Sequence, residues 1–242
     1  MKQDFLLLNK AVYFFKEKIL VIGDLHLGYE HMLNQQGILL PNTQTTELKK
    51  EFEKLFLTLQ ERDLNVKELI FLGDITHSFG FEYQEKKDFQ GLLNFLQTKV
   101  KLKSIIFIKG NHDTIDFTFG KMKKSYIQGK LLFIHGDKIP PTKEFEKSEM
   151  IILGHIHPSV LIQDSKKIKK EFFKCFLIGK FKNKKVIILP SFLNYPQGKA
   201  VNDYEEEYED YFSIIPKRSL LKFSVFVIGE KEIFDFGKLN KF

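Results

Sequence analysis

The most constraining feature of this sequence is a set of short apolar runs that each end in glycine followed by histidine, aspartate or asparagine. The first run, Ile19 to Ile22, continues into Gly-Asp-Leu-His and so presents Asp24 and His26. A four-residue apolar run bounded by a turn signal is typical of a strand buried on both faces. Residues two apart in an extended segment can face the same side, so this stretch predicts a buried strand that delivers two polar side chains to a sheet edge.

Four later stretches repeat this design. Their predicted strands are Glu68–Leu72, Ser104–Ile108, Lys130–Ile134 and Met150–Leu153. The polar residues that follow these strands are Asp74 and His77, then Asn111, His112 and Asp113, then His135, and finally His155 and His157. Six of the seven histidines lie in the five stretches, and only His31 lies outside them. Histidines scattered for surface or core reasons would not sort in this way, so the pattern indicates one site built from five strand ends.

In the segments that connect the first three of these strands, the apolar residues recur at helical spacing instead. The sequence predicts amphipathic helices over Thr43–Gln60 and Tyr83–Val100. After Leu161 short strand-type segments dominate, such as Glu171–Ile178 and Lys185–Leu189. A half that alternates strand and helix, followed by a half made mostly of strands, predicts an α/β fold with a mixed sheet or two stacked sheets and helices outside.

The composition is that of an ordinary globular protein, with 43% hydrophobic and 29% charged residues among 242. No run of 18 apolar residues is present, so the sequence predicts no membrane-spanning helix. The single cysteine, Cys175, excludes an internal disulfide, favours a cytoplasmic location and has the apolar neighbours of a buried strand residue. The net charge of +7 comes almost entirely from lysine, which favours phosphate-bearing partners but also serves solubility.

The side chains at the strand ends are of the types that bind metal ions. Histidine, aspartate and asparagine suit Mn²⁺, Fe or Zn²⁺, and no thiolate accompanies them as in a structural zinc finger. About eight such groups exceed the needs of one ion but fit two ions about 3.5–4 Å apart that share a carboxylate. Two ions at that separation are typical of phosphoryl transfer, because together they activate water and neutralise phosphate oxygens.

The blocks GDLHLG, GDITH, GNHD, HGD and GHIHP, in that order, resemble the five signature blocks of the calcineurin-like metallophosphoesterases. The resemblance spans Gly23 to Pro158. It implies a four-layer α-β-β-α sandwich with two mixed sheets flanked by helices. It also implies a hydrolase that acts on phosphoester bonds with two divalent metal ions, for which Mn²⁺ is the expected ion and Fe or Zn²⁺ are alternatives.

By position, the resemblance also implies a role for each polar side chain. The ligands of the first metal are Asp24, His26 and His157, the bridging carboxylate is Asp74, and the ligands of the second metal are Asn111, His135 and His155. His112 matches the histidine that contacts the phosphate and protonates the leaving oxygen, and Asp113 would hold the His112 ring in the required tautomer. His77 is similar to a second catalytic histidine of the DNA-repair nuclease subunit SbcD and its archaeal relatives. The alternatives are a turn residue for Asp113 and a hydrogen-bonded loop histidine for His77.

Two further segments, DLHLGYE and LPSF, resemble a smaller group that comprises SbcD-related archaeal phosphoesterases and bacterial ligase-associated phosphoesterases. Members of that group are single-domain. We therefore expect one metallophosphoesterase domain over residues 1–242, without a separate capping domain, and a phosphodiester substrate.

Three functions remain open at this point. The first is a two-metal nuclease of the DNA-repair type that acts on DNA or RNA, with phosphate contacts from Lys121, Lys123, Lys124, Lys166, Lys167, Lys169 and Lys170. The bland alternative for these lysines is a solvated face. The second function is a phosphodiesterase or pyrophosphatase for a small nucleotide-type substrate. The third is a metal-bound scaffold without turnover, against which the intact ligand positions argue.

Overall fold

Two β-sheets pack face to face in the part of the chain that the computed structural model describes, which comprises residues 4–77, 83–113, 121–163, 169–194, 200–202 and 213–241. The strands of the first sheet are β1 (Phe5–Leu8), β2 (Ala11–Phe14), β3 (Ile19–Ile22), β4 (Glu68–Phe71) and β5 (Ile105–Phe107), and they lie in this order across the sheet. Strands β1 to β3 are antiparallel neighbours, whereas β3, β4 and β5 run parallel.

The second sheet contains the remaining described strands. They are β6 (Tyr126–Gln128), β7 (Leu131–Ile134), β8 (Met150–Leu153), β9 (Ser159–Gln163), β10 (Lys170–Phe181), β11 (Lys184–Ile188), β12 (Ser224–Ile228) and β13 (Ile233–Lys238). Their order is β13-β12-β10-β11-β8-β7-β6, and β9 pairs with β10 beside this path. Strands β7, β8 and β11 run parallel to one another. Each sheet therefore has three parallel strands at its centre or along one side, and their carboxyl ends point the same way.

Helices cover the outer faces of both sheets. They are α1 (Tyr29–Gln35), α2 (Gln44–Glu61), α3 (Tyr83–Gln97), α4 (Thr142–Lys147) and α5 (Lys217–Leu220). The long helices α2 and α3 pack on the first sheet, and the short α4 and α5 contribute to the outer face of the second. None of the helices in the described ranges has the length and apolar character needed to cross a bilayer.

The strands that lead to the polar clusters are apolar except for Glu68 at the start of β4, and β3, β7 and β8 are buried on both faces. On β4, Phe71 packs with helices α2 and α3, whereas Ile70 points into the layer between the sheets. On β8, Ile152 points into the same layer, and Ile151 packs on the outer side. This alternation is the period of a strand, and a strand buried on both sides reads as a continuous apolar run.

The predicted α/β sandwich is confirmed. The sequence missed the strands β1, β6, β9 and β13 and the helices α1, α4 and α5, which are short or lie at sheet edges where fewer residues are buried. It also extended the second long helix to Val100, although α3 ends at Gln97; Val100 nevertheless stays buried against the same core. Cys175 is a buried strand residue, as predicted, and burial raises the pKa of its thiol.

The layer between the sheets should carry much of the stability. Phe176 on β10 is fully buried in this layer, so Phe176→Ala should lower the free energy of unfolding by about 3–5 kcal/mol. Phe172 on the same strand is 55% exposed, and Phe172→Ala should change it by less than about 0.5 kcal/mol. Urea denaturation of both variants measures the difference. Equal losses would contradict the assignment of Phe176 to the shared core.

Candidate metal centre

Six parallel strands end at one edge of the two-sheet sandwich and bring the predicted ligands together. Strands β3, β4 and β5 of the first sheet lead to Asp24, Asp74 and Asn111. Strands β7 and β8 of the second sheet lead to His135 and His155, and β11 lies beside them. Two of the contacts that join the sheets here involve main-chain atoms. His135 Nδ1 lies 2.8 Å from the Leu72 carbonyl oxygen, and the His155 amide donates to the Asp24 carboxylate at 3.2 Å.

The first ligand group consists of Asp24, His26, Asp74 and His157, which each offer one ligand atom within 4.8 Å of the others. The Nε2 atoms of His26 and His157 lie 3.2 Å apart. His157 Nε2 is also 3.5 Å from Asp24 Oδ2. Four side chains from three separate strand ends therefore converge on one point.

The second ligand group consists of Asp74, His135 and His155, whose ligand atoms meet the same 4.8 Å limit. His155 Nδ1 lies 3.1 Å from His135 Nε2, which in turn lies 3.3 Å from Asp74 Oδ2. The side-chain oxygen of Asn111 is 2.9 Å from the same His135 nitrogen, so Asn111 joins this group. Asp74 belongs to both groups, which is the position that a bridging carboxylate requires.

The donor set fits divalent ions on geometry. Ligands that bind one ion at about 2.0–2.1 Å lie roughly 3 Å from one another, which is the spacing of the paired ring nitrogens in both groups. Ring nitrogens that face each other at this distance make poor hydrogen-bond partners when neither is protonated. Oxygen and imidazole ligands without sulfur suit Mn²⁺, Fe or Zn²⁺.

The electrostatics of the buried residues also call for positive charge. Asp24 is 0% exposed and Asp74 is 2% exposed. Burial alone would raise the pKa of Asp24, but the imidazoles of His157 and His135 outweigh it and hold that pKa below its ordinary value. Burial alone would lower the pKa of His135, but its hydrogen bond to Asp74 and the charge of Asp24 raise it to about 9. The buried carboxylates thus favour a protonated His135. Bound divalent ions would supply this positive charge instead of the proton.

Backbone strain is concentrated at the ligands. His26, Asp74, His155 and His157 have φ values of 46°, 45°, 71° and 42°, in the left-handed region that non-glycine residues rarely adopt. Such residues persist only where the surrounding structure fixes them, and they cluster at functional sites. The ligand side chains therefore point inward because of backbone turns that the fold holds in place.

Two glycines of the sequence blocks allow the ligands to approach the backbone. A Cβ atom on Gly110 would overlap the carboxylate and the amide nitrogen of Asp74. A Cβ atom on Gly154 would lie 2.6 Å from Asp24 Oδ2, closer than real Cβ contacts. Both glycines are required because a carboxylate occupies the space of the missing side chain.

Two more histidines lie beside the first ligand group. The rings of His77 and His112 are stacked, with centroids 5.6 Å apart and an interplanar angle of 14°. His77 Nδ1 lies 3.3 Å from His26 Nδ1, and the Tyr29 ring packs edge-on against His77 at 5.0 Å. Burial, followed by the neighbouring charge of His112, lowers the pKa of His77, so His77 is neutral at neutral pH. Partly exposed rings therefore line one side of the centre.

Asp113 is buried and holds the loops that carry the ligands. One carboxylate oxygen accepts hydrogen bonds from the amides of Ile75 and Thr76, and the other accepts one from the amide of Gly110 at 2.9 Å. Burial raises the pKa of Asp113 to about 6, although these amides act in the opposite direction. The ring nitrogen Nδ1 of His112 has a different partner, the carbonyl oxygen of His77 at 3.1 Å. This carbonyl is therefore a partner through which the His112 tautomer can be set.

Two lysines, which the sequence did not single out, support the backbone of Asp24; Lys10 is buried and Lys174 is partly buried. Lys10 donates to the Phe192 carbonyl at 2.8 Å, and Lys174 donates to the carbonyls of Ser191 and Leu193. The Phe192 amide and the Ser191 hydroxyl in turn donate to the Asp24 carbonyl. The sequence marks the LPSF segment only by a resemblance, and nothing in a lysine-rich sequence distinguishes these two lysines from exposed ones.

Known proteins resemble this chain in sequence pattern and in fold. The family model described as calcineurin-like phosphoesterase matches residues 17–211. Among solved structures, the nuclease MPE of Pseudomonas putida is similar with a TM-score of 0.61 and 16% sequence identity, over 94% of this chain and 92% of that one. A search of curated proteins found no match.

Two other solved structures show lower similarity. Wild-type Vps29 of Entamoeba histolytica, complexed with Zn²⁺, has a TM-score of 0.37 and 11% identity over 90% of this chain and 96% of that one. A predicted phosphoesterase of Streptococcus pneumoniae has a TM-score of 0.34 and 12% identity over 91% and 97%. The similarity to the nuclease MPE shows a shared fold.

A small substitution should break the centre without touching a ligand. We expect Gly110→Ala to weaken Mn²⁺ binding at least tenfold, because the added Cβ displaces the Asp74 carboxylate. The matched control is Gly91→Ala in α3, where an added Cβ meets only the end of the Lys49 side chain at 3.5 Å and alanine favours the helix. Isothermal titration with MnCl₂ measures both variants. Wild-type binding by Gly110→Ala would contradict the close packing of Asp74.

Proposed function

The chain belongs to the calcineurin-like phosphoesterase family and hydrolyses phosphoester bonds, and from this premise we propose that it is a two-metal phosphodiesterase that cleaves nucleic acid. The observation that carries the proposal is the pair of ligand groups that share the buried carboxylate of Asp74. The family is dependent on divalent metal ions, and the paired nitrogen and oxygen ligands suit Mn²⁺.

Each ligand group would hold one ion. Asp24, His26 and His157 would hold the first, Asn111, His135 and His155 the second, and Asp74 would contact both. When bound, the ions would supply positive charge opposite the phosphate oxygens and a nucleophile from water at neutral pH. The main-chain amide of His112 donates to Asp74 Oδ1 at 2.9 Å and so fixes the shared carboxylate.

His112 is the proposed general acid. Its Nδ1 faces the His77 carbonyl at 3.1 Å, so the Nδ1 proton is donated there and Nε2 is the nitrogen that exchanges a proton with the substrate. Its amide contact with Asp74 keeps this ring close to the ligand groups. From that position His112 can protonate the leaving oxygen as the phosphorus–oxygen bond breaks. Asp113 supports it indirectly by holding the loop at Gly110.

His77 is the proposed second catalytic histidine. It stacks on His112 and is held by backbone pairing, since the His77 amide donates to the Leu27 carbonyl at 2.8 Å. A neutral imidazole at this position can hydrogen-bond a phosphate oxygen and orient the scissile bond relative to His112. Such orientation matters most for a long polymer, whose phosphates are otherwise held only by distant contacts.

Exposed lysines near the second ligand group support a nucleic-acid substrate. The segment that carries Lys121, Lys123 and Lys124 pairs with the extension of β5, because the Lys109 amide donates to the Lys123 carbonyl. This extension continues directly into Asn111, so the lysines border the centre and can contact phosphates. Lys170 begins β10, and Lys169 precedes it, at the end remote from His157, since the five-residue β9 intervenes. Lys166 and Lys167 lie outside the described residues.

Mn²⁺-dependent cleavage of labelled single-stranded DNA, duplex DNA and RNA tests the proposal, with a dinucleoside polyphosphate as the small substrate. The wild type should cut at least one polymer, and its affinity for that polymer should fall steeply as the salt concentration rises. Asp74→Asn should lower cleavage by roughly 10²-fold or more, because bound ions supply several kcal/mol. The control Asp235→Asn, on exposed β13, should cleave normally.

Each other outcome has a defined meaning. Cleavage of the dinucleoside polyphosphate alone would transfer the function to small nucleotides. Retention of Mn²⁺ without hydrolysis of any substrate would indicate a non-catalytic scaffold. Wild-type cleavage by Asp74→Asn would refute the shared-carboxylate centre itself.

Substitutions of His112 and His77 should differ in their effects on the two kinds of substrate. His112→Ala should slow hydrolysis of both DNA and an aryl phosphodiester by roughly 10²–10⁴-fold while Mn²⁺ stays bound, because general acid catalysis is lost. His77→Ala should slow DNA cleavage more than aryl phosphodiester hydrolysis. His31→Ala is the matched control, since His31 pairs with Asp88 on α3 away from the ligands. Equal losses on both substrates for His77→Ala would refute its substrate-orienting role.

A further inference from the structure

A buried amide at the start of α2 holds the ligand loop of His26, here defined as residues 23–28. Gln44 is only 5% exposed although its side chain is polar. Its Nε2 donates to the carbonyl of His26 at 2.7 Å and lies 3.4 Å from that of Leu25. Its Oε1 accepts a hydrogen bond from the amide of Gly28 at 3.1 Å. A single side chain therefore bonds the backbone on both sides of the ligand.

Gln44 is itself fixed by a second buried polar residue. Glu30 on α1 is 2% exposed, and one of its carboxylate oxygens accepts a hydrogen bond from the main-chain amide of Gln44 at 2.9 Å. The other oxygen accepts from the Thr43 hydroxyl at 3.1 Å. Glu30 thus caps the first turn of α2, where Thr43 makes no side-chain cap of its own. The side-chain amide of Gln44 therefore reaches the loop from the first residue of an 18-residue helix.

The loop needs this support because its conformation is strained. His26 has a φ of 46°, which non-glycine residues rarely adopt, whereas Gly28 adopts its φ of 92° without strain. One edge of the loop is already paired, since the amides of Leu25 and His26 both donate to the Asp74 carbonyl. Gln44 binds the carbonyls that point the other way, so the strained turn is held from both edges. The direction of the His26 ring follows from that turn.

We propose that Gln44 is a positioning residue that sets the affinity of the first ligand group for its metal ion by fixing the backbone of His26. The inference rests on the proposed two-metal function. It assigns to α2, which contributes no ligand, a direct influence on one of the two ions. Only the first ligand group has ligands in the loop of residues 23–28, so the influence should fall mainly on its ion, although both groups share Asp74.

Direct Mn²⁺ titration without substrate tests this assignment. Gln44→Met keeps the length of the side chain and removes its hydrogen bonds. We expect one of two Mn²⁺ sites to weaken by roughly 10–100-fold, as when other supports of metal ligands are removed, while the second stays within about twofold. The electron paramagnetic resonance signal of a coupled Mn²⁺ pair should disappear at two equivalents. Excess Mn²⁺ should restore kcat with an unchanged KM for substrate.

Gln60→Met is the matched control, because Gln60 is exposed on the same helix. Gln44→Glu provides the second variant, because it keeps an acceptor for Gly28 but turns the donor into an acceptor against two carbonyls; it should weaken the site at least as much as Gln44→Met. A purely structural residue would lower the melting temperature and leave both dissociation constants unchanged below it.

The proposal is overturned if both Mn²⁺ sites of Gln44→Met match those of Gln60→Met, if both weaken equally, or if neither Gln44 variant folds. Its failure is distinguishable from failure of the proposed function. A wild type that binds two Mn²⁺ ions but cleaves no nucleic acid would remove the function and leave the role of Gln44 intact.

Discussion

The burial of two carboxylates at the meeting edge of two sheets is the constraint on which the rest of this structure depends. Asp24 and Asp74 are almost inaccessible to water, and an isolated buried charge is so unfavourable that it must be compensated. Histidines surround both groups, and the pKa of His135 is raised because it shares the negative charge of both. A divalent ion compensates a pair of carboxylates far better than a proton, so the charge balance of the fold and its capacity to hold metal are one property.

The two-sheet architecture provides the geometry that this balance requires. Parallel strands within each sheet deliver their carboxyl ends to one edge, and the shared layer of apolar side chains brings the two edges into register. The ligands themselves then depart from regular structure, with left-handed backbone at His26, Asp74 and His155. Strain of this kind is stable only on a rigid support. The rigid interior strands and the strained loops at their ends are therefore complementary parts of one design.

The sequence singled out the candidate ligands, which the structure brings together, but not the residues that support them, for a physical reason. Histidine and aspartate after a buried strand are unusual enough to be recognised, and the order of the five blocks matched the family that the comparison confirmed. The alternation of strand and helix patterns predicted an α/β fold with a mixed sheet or two stacked sheets, and the resemblance implied the sandwich. Nothing in the sequence distinguishes Gln44, Lys10 and Lys174, because glutamine at a helix start and lysine in a turn or a strand are ordinary residues. Only the fold reveals that their polar atoms donate to main-chain carbonyls.

These hydrogen bonds to the main chain also explain how an apolar scaffold can hold a polar loop in one conformation. The backbone of residues 23–28 is bound by Gln44 from the helical layer, and the carbonyl of Asp24 is bound by the segment that the two lysines hold. Lys10 comes from the turn between β1 and β2, and Lys174 from β10 of the other sheet. The first ligand loop is thus connected to three layers of the fold. A substitution in any one of these layers can therefore shift the candidate ligands through hydrogen bonds to main-chain atoms. Substitutions of the ligands themselves would not reveal this effect.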